Sequence, residues 1–150
     1  MTTVRRVRSS DGDFIVALSE QVFSEYSLQA GQRAIPLTQG RGVLTLVAEW
    51  RNQRAGFAVL RSDARGTGHV DAIAVTELAR GHGVGKRLLA EVEAEALERG
   101  LRRLELVTAD SNLAALMLFH RAGFTTVERL LRHYPRGQDA LRLSKRLGML

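Results

Sequence analysis

Three glycines at alternate positions carry the chemistry that is easiest to read in this chain. Residues 80–86 read R-G-H-G-V-G-K and follow the apolar run V-D-A-I-A-V at 70–75. Gly81, Gly83 and Gly85 leave the backbone bare through one tight turn, so successive N–H groups can converge on an anion where a helix begins. Arg80 in front, with Lys86 and Arg87 behind, adds fixed positive charge. Such a loop suits a ligand with several negative charges, as a pyrophosphate has. Its candidate binding residues are Arg80, Gly81, His82, Gly83, Val84, Gly85 and Lys86.

Two other phosphate loops do not fit. A P-loop needs Gly-Lys followed by Ser or Thr to hold Mg²⁺, and Lys86 is followed by Arg87. A dinucleotide fingerprint needs G-x-G-x-x-G in an N-terminal βαβ unit, and the spacing here is G-x-G-x-G.

A second pattern lies downstream, N-L-A-A-L-M-L-F-H-R-A-G-F at 112–124. Arg80-x-x-Gly83-x-Gly85 after a strand, followed by Asn112-x-x-Ala115-Leu116-x-Leu118-Phe119-x-x-x-Gly123-Phe124, resembles the GCN5-related N-acetyltransferase (GNAT) family. The resemblance implies acetyl-coenzyme A as donor and a primary amine as acceptor. In that family the strands equivalent to 70–75 and 104–109 run parallel and splay apart, and the cofactor enters the gap. Pantetheine would then pair like an added strand with the backbone of Ile73, Ala74 and Val75. Asn112 is placed to hydrogen-bond the pantetheine or phosphate arm, and reads almost equally well as part of a helix cap. Phe119 is placed beside the cofactor sulfur.

Amine acetylation sets a further demand. An ammonium with a pKa of about 10 must lose a proton before its nitrogen can attack a thioester. Glu49 and Asp71 are the leading bases, with Glu105 and His120 behind them, and each also reads as a salt-bridged or surface residue. Phe119 stands where many family members have a tyrosine that protonates the departing thiolate. A thiolate of pKa about 8.5 is a tolerable leaving group, so transfer can proceed with His120 or water in that place.

The segment R-H-Y-P-R-G-Q-D-A-L at 132–141 resembles the closing hairpin of the ribosomal-protein alanine N-acetyltransferases, where a tyrosine-bearing loop covers the peptide N-terminus. On that resemblance Tyr134 and Tyr26 form opposite walls of the acceptor site. Val107 stands where that subfamily carries a glutamate base. Three readings follow: an N-acetyltransferase for a small amine or amino acid, one for protein N-termini or lysines, and a catalytically weak acyl-CoA-binding regulatory domain.

Composition bounds the rest. The chain has 150 residues, 45% of them hydrophobic, which suits one domain over 1–150. It has no cysteine, which excludes disulfides, thiolate metal sites and an acyl-cysteine intermediate, so acyl transfer would be direct. His69, His82, His120 and His133 lack metal-ligand spacing, and no metal is expected. The first residues hold no apolar leader and no run matches a membrane span, so a cytoplasmic protein without a membrane partner is expected. The net charge of +6 comes from arginines dispersed along the chain, with aromatics at 5%, and no nucleic-acid partner is expected. A homodimer is left open.

Periodicity supplies the elements that must position these residues. It predicts a strand at 4–8, a helix at 13–25 capped by Ser10 or Asp11, and an irregular or partly helical connector at 31–42. A hairpin of 43–50 and 55–61 turns through R-N-Q-R, and strand 70–75 leads to a helix at 84–99 that ends at Gly100. Strand 101–109 precedes a helix at 112–121 capped by Ser111, and a closing hairpin of 124–134 and 139–146 turns around P-R-G. The expected class is α/β (α+β): a GNAT-like mixed, mostly antiparallel sheet of about six to seven strands flanked by about four helices, with a splayed central parallel pair.

Overall fold

A strand that is apolar on both faces must be covered on both faces, and the central strands of this protein are. The computed structural model describes residues 1–27, 30–37 and 39–148. Its strands are β1 (Thr2–Arg6), β2 (Val43–Trp50), β3 (Gln53–Ser62), β4 (Thr67–Val75), β5 (Arg103–Ala109), β6 (Thr125–Leu130) and β7 (Ala140–Arg146). They form one sheet in the order β1-β2-β3-β4-β5-β7-β6, antiparallel except for the pair β4–β5. Helices α3 (Val84–Glu98) and α4 (Leu113–Arg121) cover one face, and α1 (Gly12–Phe23) with α2 (Ala30–Leu37) covers the other.

The expected stripe on α3, Val84, Leu88, Leu89, Val92 and Ala96, is buried against Leu44, Leu46, Ala58 and Leu60 of the sheet. On the opposite face Ile15, Leu18 and Ala34 meet Val47, Phe57 and Val59. Each fully buried Leu, Ile, Val or Phe contributes about 1.5–3 kcal/mol, so these two layers hold the sheet in place.

The parallel pair opens as the resemblance implied. β4 and β5 are in register only from Thr67 opposite Arg103 to His69 opposite Glu105, and beyond that they diverge. β4 is held from its other side by β3, where Gly56 permits the approach: a Cβ there would lie 2.5 Å from the Ala74 carbonyl oxygen.

Several boundaries differ from expectation, each for a local reason. β1 ends at Arg6 because the Arg8 N–H turns to donate to the Asp11 carboxylate at 2.7 Å, starting a 3-10 turn. Asp11, expected as a helix cap, makes no cap bond to α1 and is fully buried. It accepts from Arg5 Nη1 at 2.9 Å and Nη2 at 3.0 Å and from Arg54 Nε at 2.7 Å. The β2–β3 turn is tighter than R-N-Q-R, with Arg51 and Asn52 alone at positive φ, a two-residue turn matched to strand twist. The 31–42 connector carries α2; residues 28, 29 and 38 lie outside the described residues. β6 stops at Leu130, short of the expected 134, because Arg132 takes a φ of 49° and its N–H donates to Asp139 Oδ1 at 2.9 Å. Tyr134 therefore sits on a loop.

Candidate active site

The glycine loop joins β4 to α3 and has the geometry of an anion cradle. Gly81 and Gly83 both take a φ of 80°, and a Cβ at either would meet nothing within 4 Å. The surface above them is open for a ligand to approach the backbone closely. The first bond inside α3 runs from the Arg87 N–H to the Gly83 carbonyl at 3.0 Å, so the N–H groups of Val84, Gly85 and Lys86 have no helical acceptor. Arg80 and Lys86 are exposed beside them. Arg87 is not a free charge, since its Nη1 donates to Glu91 Oε1 at 2.6 Å. The His82 ring stacks on Trp50, with centroids 4.4 Å apart, and the Arg51 guanidinium lies 4.4 Å from the same indole. Trp50 thus ties the loop to the end of β2, a contact no local pattern announced. Gly85 has a different task, for a Cβ there would lie 3.3 Å from Leu118 on α4.

From this loop the edge of β4 that has no partner strand runs back through Val75, Ala74 and Ile73. These residues pair with Gly56, Phe57 and Ala58 on the β3 side, and the side facing β5 has no strand partner. Backbone donors and acceptors there suit an extended ligand. Arg80 Nε donates to the Val75 carbonyl at 3.4 Å, bringing its guanidinium to the junction of edge and loop. Edge, bare glycines, first-turn N–H groups and two exposed cations together fit a pantetheine arm followed by a pyrophosphate.

Where β4 and β5 part, a cleft of about 500 Å³ opens toward α1 and α2. Phe23, Ala34, Phe57 and Val59 form an apolar wall, and Ala72 of β4 and Val107 of β5 add to the lining. Its polar groups include Asp71, Asn112, Tyr26 and Tyr134. The two tyrosine rings meet at 5.0 Å between centroids with a 51° tilt. Burial pushes the Tyr134 phenol up to about 12, and burial also raises that of Tyr26, so both remain protonated at neutral pH. The loop carrying Tyr134 is tied down by Gln138 Nε2, which donates to the Glu25 carbonyl at 3.0 Å. Tyr26 and Tyr134 thus touch each other over the cleft.

The expected bases are not gathered at one point. Asp71 lines the cleft from a bulge in β4, where Val59 pairs with Ala72 and Leu60 with Val70, leaving Asp71 without a cross-strand partner. Its carboxylate accepts from Arg61 Nε at 2.8 Å and Nη2 at 3.2 Å. Glu49 sits 3.4 Å from Arg5 Nε near the Asp11 cluster and does not line the cleft. Glu105 lies at the paired end of β4–β5, opposite His69. His120 is exposed on α4, its Nδ1 3.1 Å from the Phe124 carbonyl, and it too lies apart from the cleft. Asn112 takes the cap reading: its side chain accepts from the Ala115 N–H at 3.3 Å, capping α4 in place of Ser111, and the residue also lines the cleft. Phe119 is buried in the α4 layer, edge-on to Phe124 at 5.7 Å.

Comparison with known proteins gives the family and the fold. Residues 13–124 match the Acetyltransferase (GNAT) family. N-alpha-acetyltransferase 30 of Dictyostelium discoideum is 32% identical over 76 residues, which are 51% of this chain and 41% of that protein, so the match spans less than half of the relative. The ribosomal-protein-S18-alanine N-acetyltransferase of Escherichia coli has the same fold, with a TM-score of 0.86 at 22% identity over 100% of this chain and 96% of that one. So has yncA of Salmonella typhimurium, solved with its cofactor acetyl-CoA, with a TM-score of 0.85 at 20% identity over 99% and 95% of the two chains. The family match begins in α1, passes through the cradle and ends at Phe124, where the second motif ends. The chain belongs to the acetyltransferase (GNAT) family.

Proposed function

We propose that this chain moves the acetyl group of acetyl-CoA to the α-amine of a peptide N-terminus, with Asp71 taking up the proton. The observation that carries the reading is the cleft at the β4–β5 divergence, roofed by Tyr26 and Tyr134 and holding one strand-borne carboxylate. Two of the similar proteins, from Dictyostelium and E. coli, are named for acetylating N-termini or a ribosomal-protein alanine, which supports a peptide over a free small amine.

Bound acetyl-CoA supplies a thioester carbonyl activated for attack by an amine. Within the chain, the β4 edge from Ile73 to Val75 orients the pantetheine arm, and the loop from Arg80 to Lys86 neutralises the pyrophosphate. Asp71, held in place by Arg61, attracts the incoming ammonium and accepts its proton directly or through one water. Val107 supplies no base from β5, and Asp71 of β4 is the carboxylate that lines the cleft. Phe119 supplies no acid, so the thiolate leaves unassisted or takes a proton from water.

Thiol release from acetyl-CoA, measured with free amino acids and with peptides bearing free or blocked N-termini, tests the reading. Free-amine peptides should exceed the matching amino acids in kcat/KM by at least roughly tenfold, and blocked peptides should not react. Asp71→Asn should lower turnover about 10²-fold and flatten the alkaline-rising limb of the pH profile, while Glu49→Gln leaves that limb in place. Equal rates on amino acids and peptides would assign a small-amine acceptor. Tight CoA binding without turnover on any amine would leave an acyl-CoA-binding regulatory domain.

A further inference from the structure

At the opposite end of β4 from the glycine loop, four arginines from three stretches of sequence meet. Arg65, Arg102, Arg103 and Arg146 line a pocket of about 550 Å³ with Gly66, Thr67 and Leu147. Strand register places them, for Thr67 stands opposite Arg103 across the parallel pair and Arg103 opposite Arg146 across the antiparallel one. Main-chain bonds lock the backbone beneath: the Arg102 N–H donates to the Gly66 carbonyl and the Leu147 N–H to the Arg102 carbonyl, both at 2.8 Å.

All four side chains are exposed, and among the described residues none is in an ion pair. Asp63, in the same turn, is already occupied: Oδ1 accepts the N–H groups of Arg65 and Thr67, and Oδ2 lies 2.9 Å from His69 Nε2. Glu105, two residues along β5 from Arg103, offers a single negative charge against four positive ones. Guanidinium forks match phosphate oxygens bidentately, and four of them held together repel one another until an anion intervenes. The lining has no aromatic ring and one apolar side chain, Leu147, so it offers no stacking platform for a base and no anchor pocket for a peptide.

We infer that this pocket binds a compact, multiply charged phosphate chain, either inorganic triphosphate or the triphosphate of a nucleotide. The site is distinct from the acetyl-transfer end: eight steps along β4 (Thr67–Val75) at about 3.3 Å each separate the two by about 26 Å.

The test is calorimetric titration of the full chain, first saturated with CoA so that the glycine loop is filled. Tripolyphosphate, a nucleoside triphosphate, sulfate, a short single-stranded RNA and an acidic peptide are compared in about 150 mM salt. One tripolyphosphate should bind per chain, at least roughly tenfold tighter than sulfate, and Arg103→Gln with Arg146→Gln should weaken it at least tenfold while CoA affinity stays unchanged. Arg103→Lys with Arg146→Lys should retain part of the binding, which separates charge from a folding defect. A nucleoside triphosphate as tight as tripolyphosphate supports recognition through the phosphates alone, and a tighter one names the nucleotide as the source. Sulfate equal to tripolyphosphate, unchanged affinity in the Gln pair, or tighter binding of RNA or acidic peptide would each overturn the proposal.

Discussion

The two ends of β4 are both cationic, and they become so by different means. At the Val75 end the positive potential comes chiefly from backbone: two glycines at a φ of 80°, unbonded N–H groups at the start of α3, and two exposed side-chain charges. At the Thr67 end it comes from side chains alone, four guanidiniums carried by a turn and the ends of two strands. A backbone cradle fixes where an anion sits to within a bond length and demands glycine. A side-chain cluster sets charge and tolerates variation in shape. The first suits a reactant that must be placed; the second suits a ligand that need only be held.

The arginines at the Thr67 end stand unpaired for want of a carboxylate, and Asp11 shows what arginines do when one is supplied. Arg5 and Arg54 close on this fully buried carboxylate. The hydrogen bonds of Arg5, and then the Arg8 N–H and Arg54, hold its carboxyl well below the usual carboxylate range. Asp11→Ala should cost about 3 kcal/mol by leaving part-buried Arg5 with Glu49 alone as a counter-charge, and lower Tm by about 10 °C. Because the folded-state pKa is depressed, this stabilisation is complete above the unfolded value of about 4 and is lost as pH falls below it. The wild-type acid-unfolding limb should therefore flatten in the variant. A Tm change under about 3 °C would make the Asp11 cluster energetically like an exposed pair, and the contrast with the arginine pocket would lapse.

A smaller effect separates the two ends directly. Gly83→Val forces a β-branched residue into the left-handed region and projects methyl groups into the open face of the cradle. CoA affinity should fall at least tenfold by calorimetry, while triphosphate binding at the other end of β4 is unchanged. The fold should survive, since nothing lies within 4 Å of the new Cβ. Gly85→Val behaves differently: its side chain meets Leu118 at 3.3 Å, so thermal stability drops along with affinity. Equal CoA affinity in a folded Gly83→Val protein would remove the cradle from the site.

The same contrast explains what could be read in advance. The glycine loop is contiguous, and Gly81 and Gly83 answer a backbone demand that a string of letters records, while Gly85 answers to the packing of Leu118. The sheet and three of the four helices were legible because apolar spacing marks them. In the sequence the arginine pocket looks like dispersed charge, because Arg65, Arg102, Arg103 and Arg146 become neighbours only through the β4–β5 and β5–β7 registers. The cleft wall of Phe23, Phe57 and Val59 is hidden in the sequence for the same reason: apolar residues at helical or strand spacing read as core, and Phe57 and Val59 are buried core residues that also back the cleft. Asp71 and Glu49 could not be ranked in sequence, since both lie on apolar strands. Only the bulge at Asp71 turns one of them toward the cleft.

The smallest expected effect concerns Phe119, where the residue type departs from many members of the family. The ring is 3% exposed and packs edge-on against Phe124 at 5.7 Å, so it already has a complete apolar environment. Phe119→Tyr adds one hydroxyl on the ring's far end and changes little else. If that end reaches the place of the cofactor sulfur, the hydroxyl gains a partner when acetyl-CoA binds, and protonation of the departing thiolate no longer waits for water. Turnover should then hold steady or rise by about threefold, with CoA affinity unchanged and Tm within about 4 °C of the parent. If the hydroxyl is instead trapped among core side chains, it has no acceptor, and the cost of about 1–3 kcal/mol appears as a larger Tm loss with no change in rate. Thermal unfolding and single-turnover acetylation of the same preparation distinguish the two, and the second outcome would make Phe119 a packing residue with no part in the transfer.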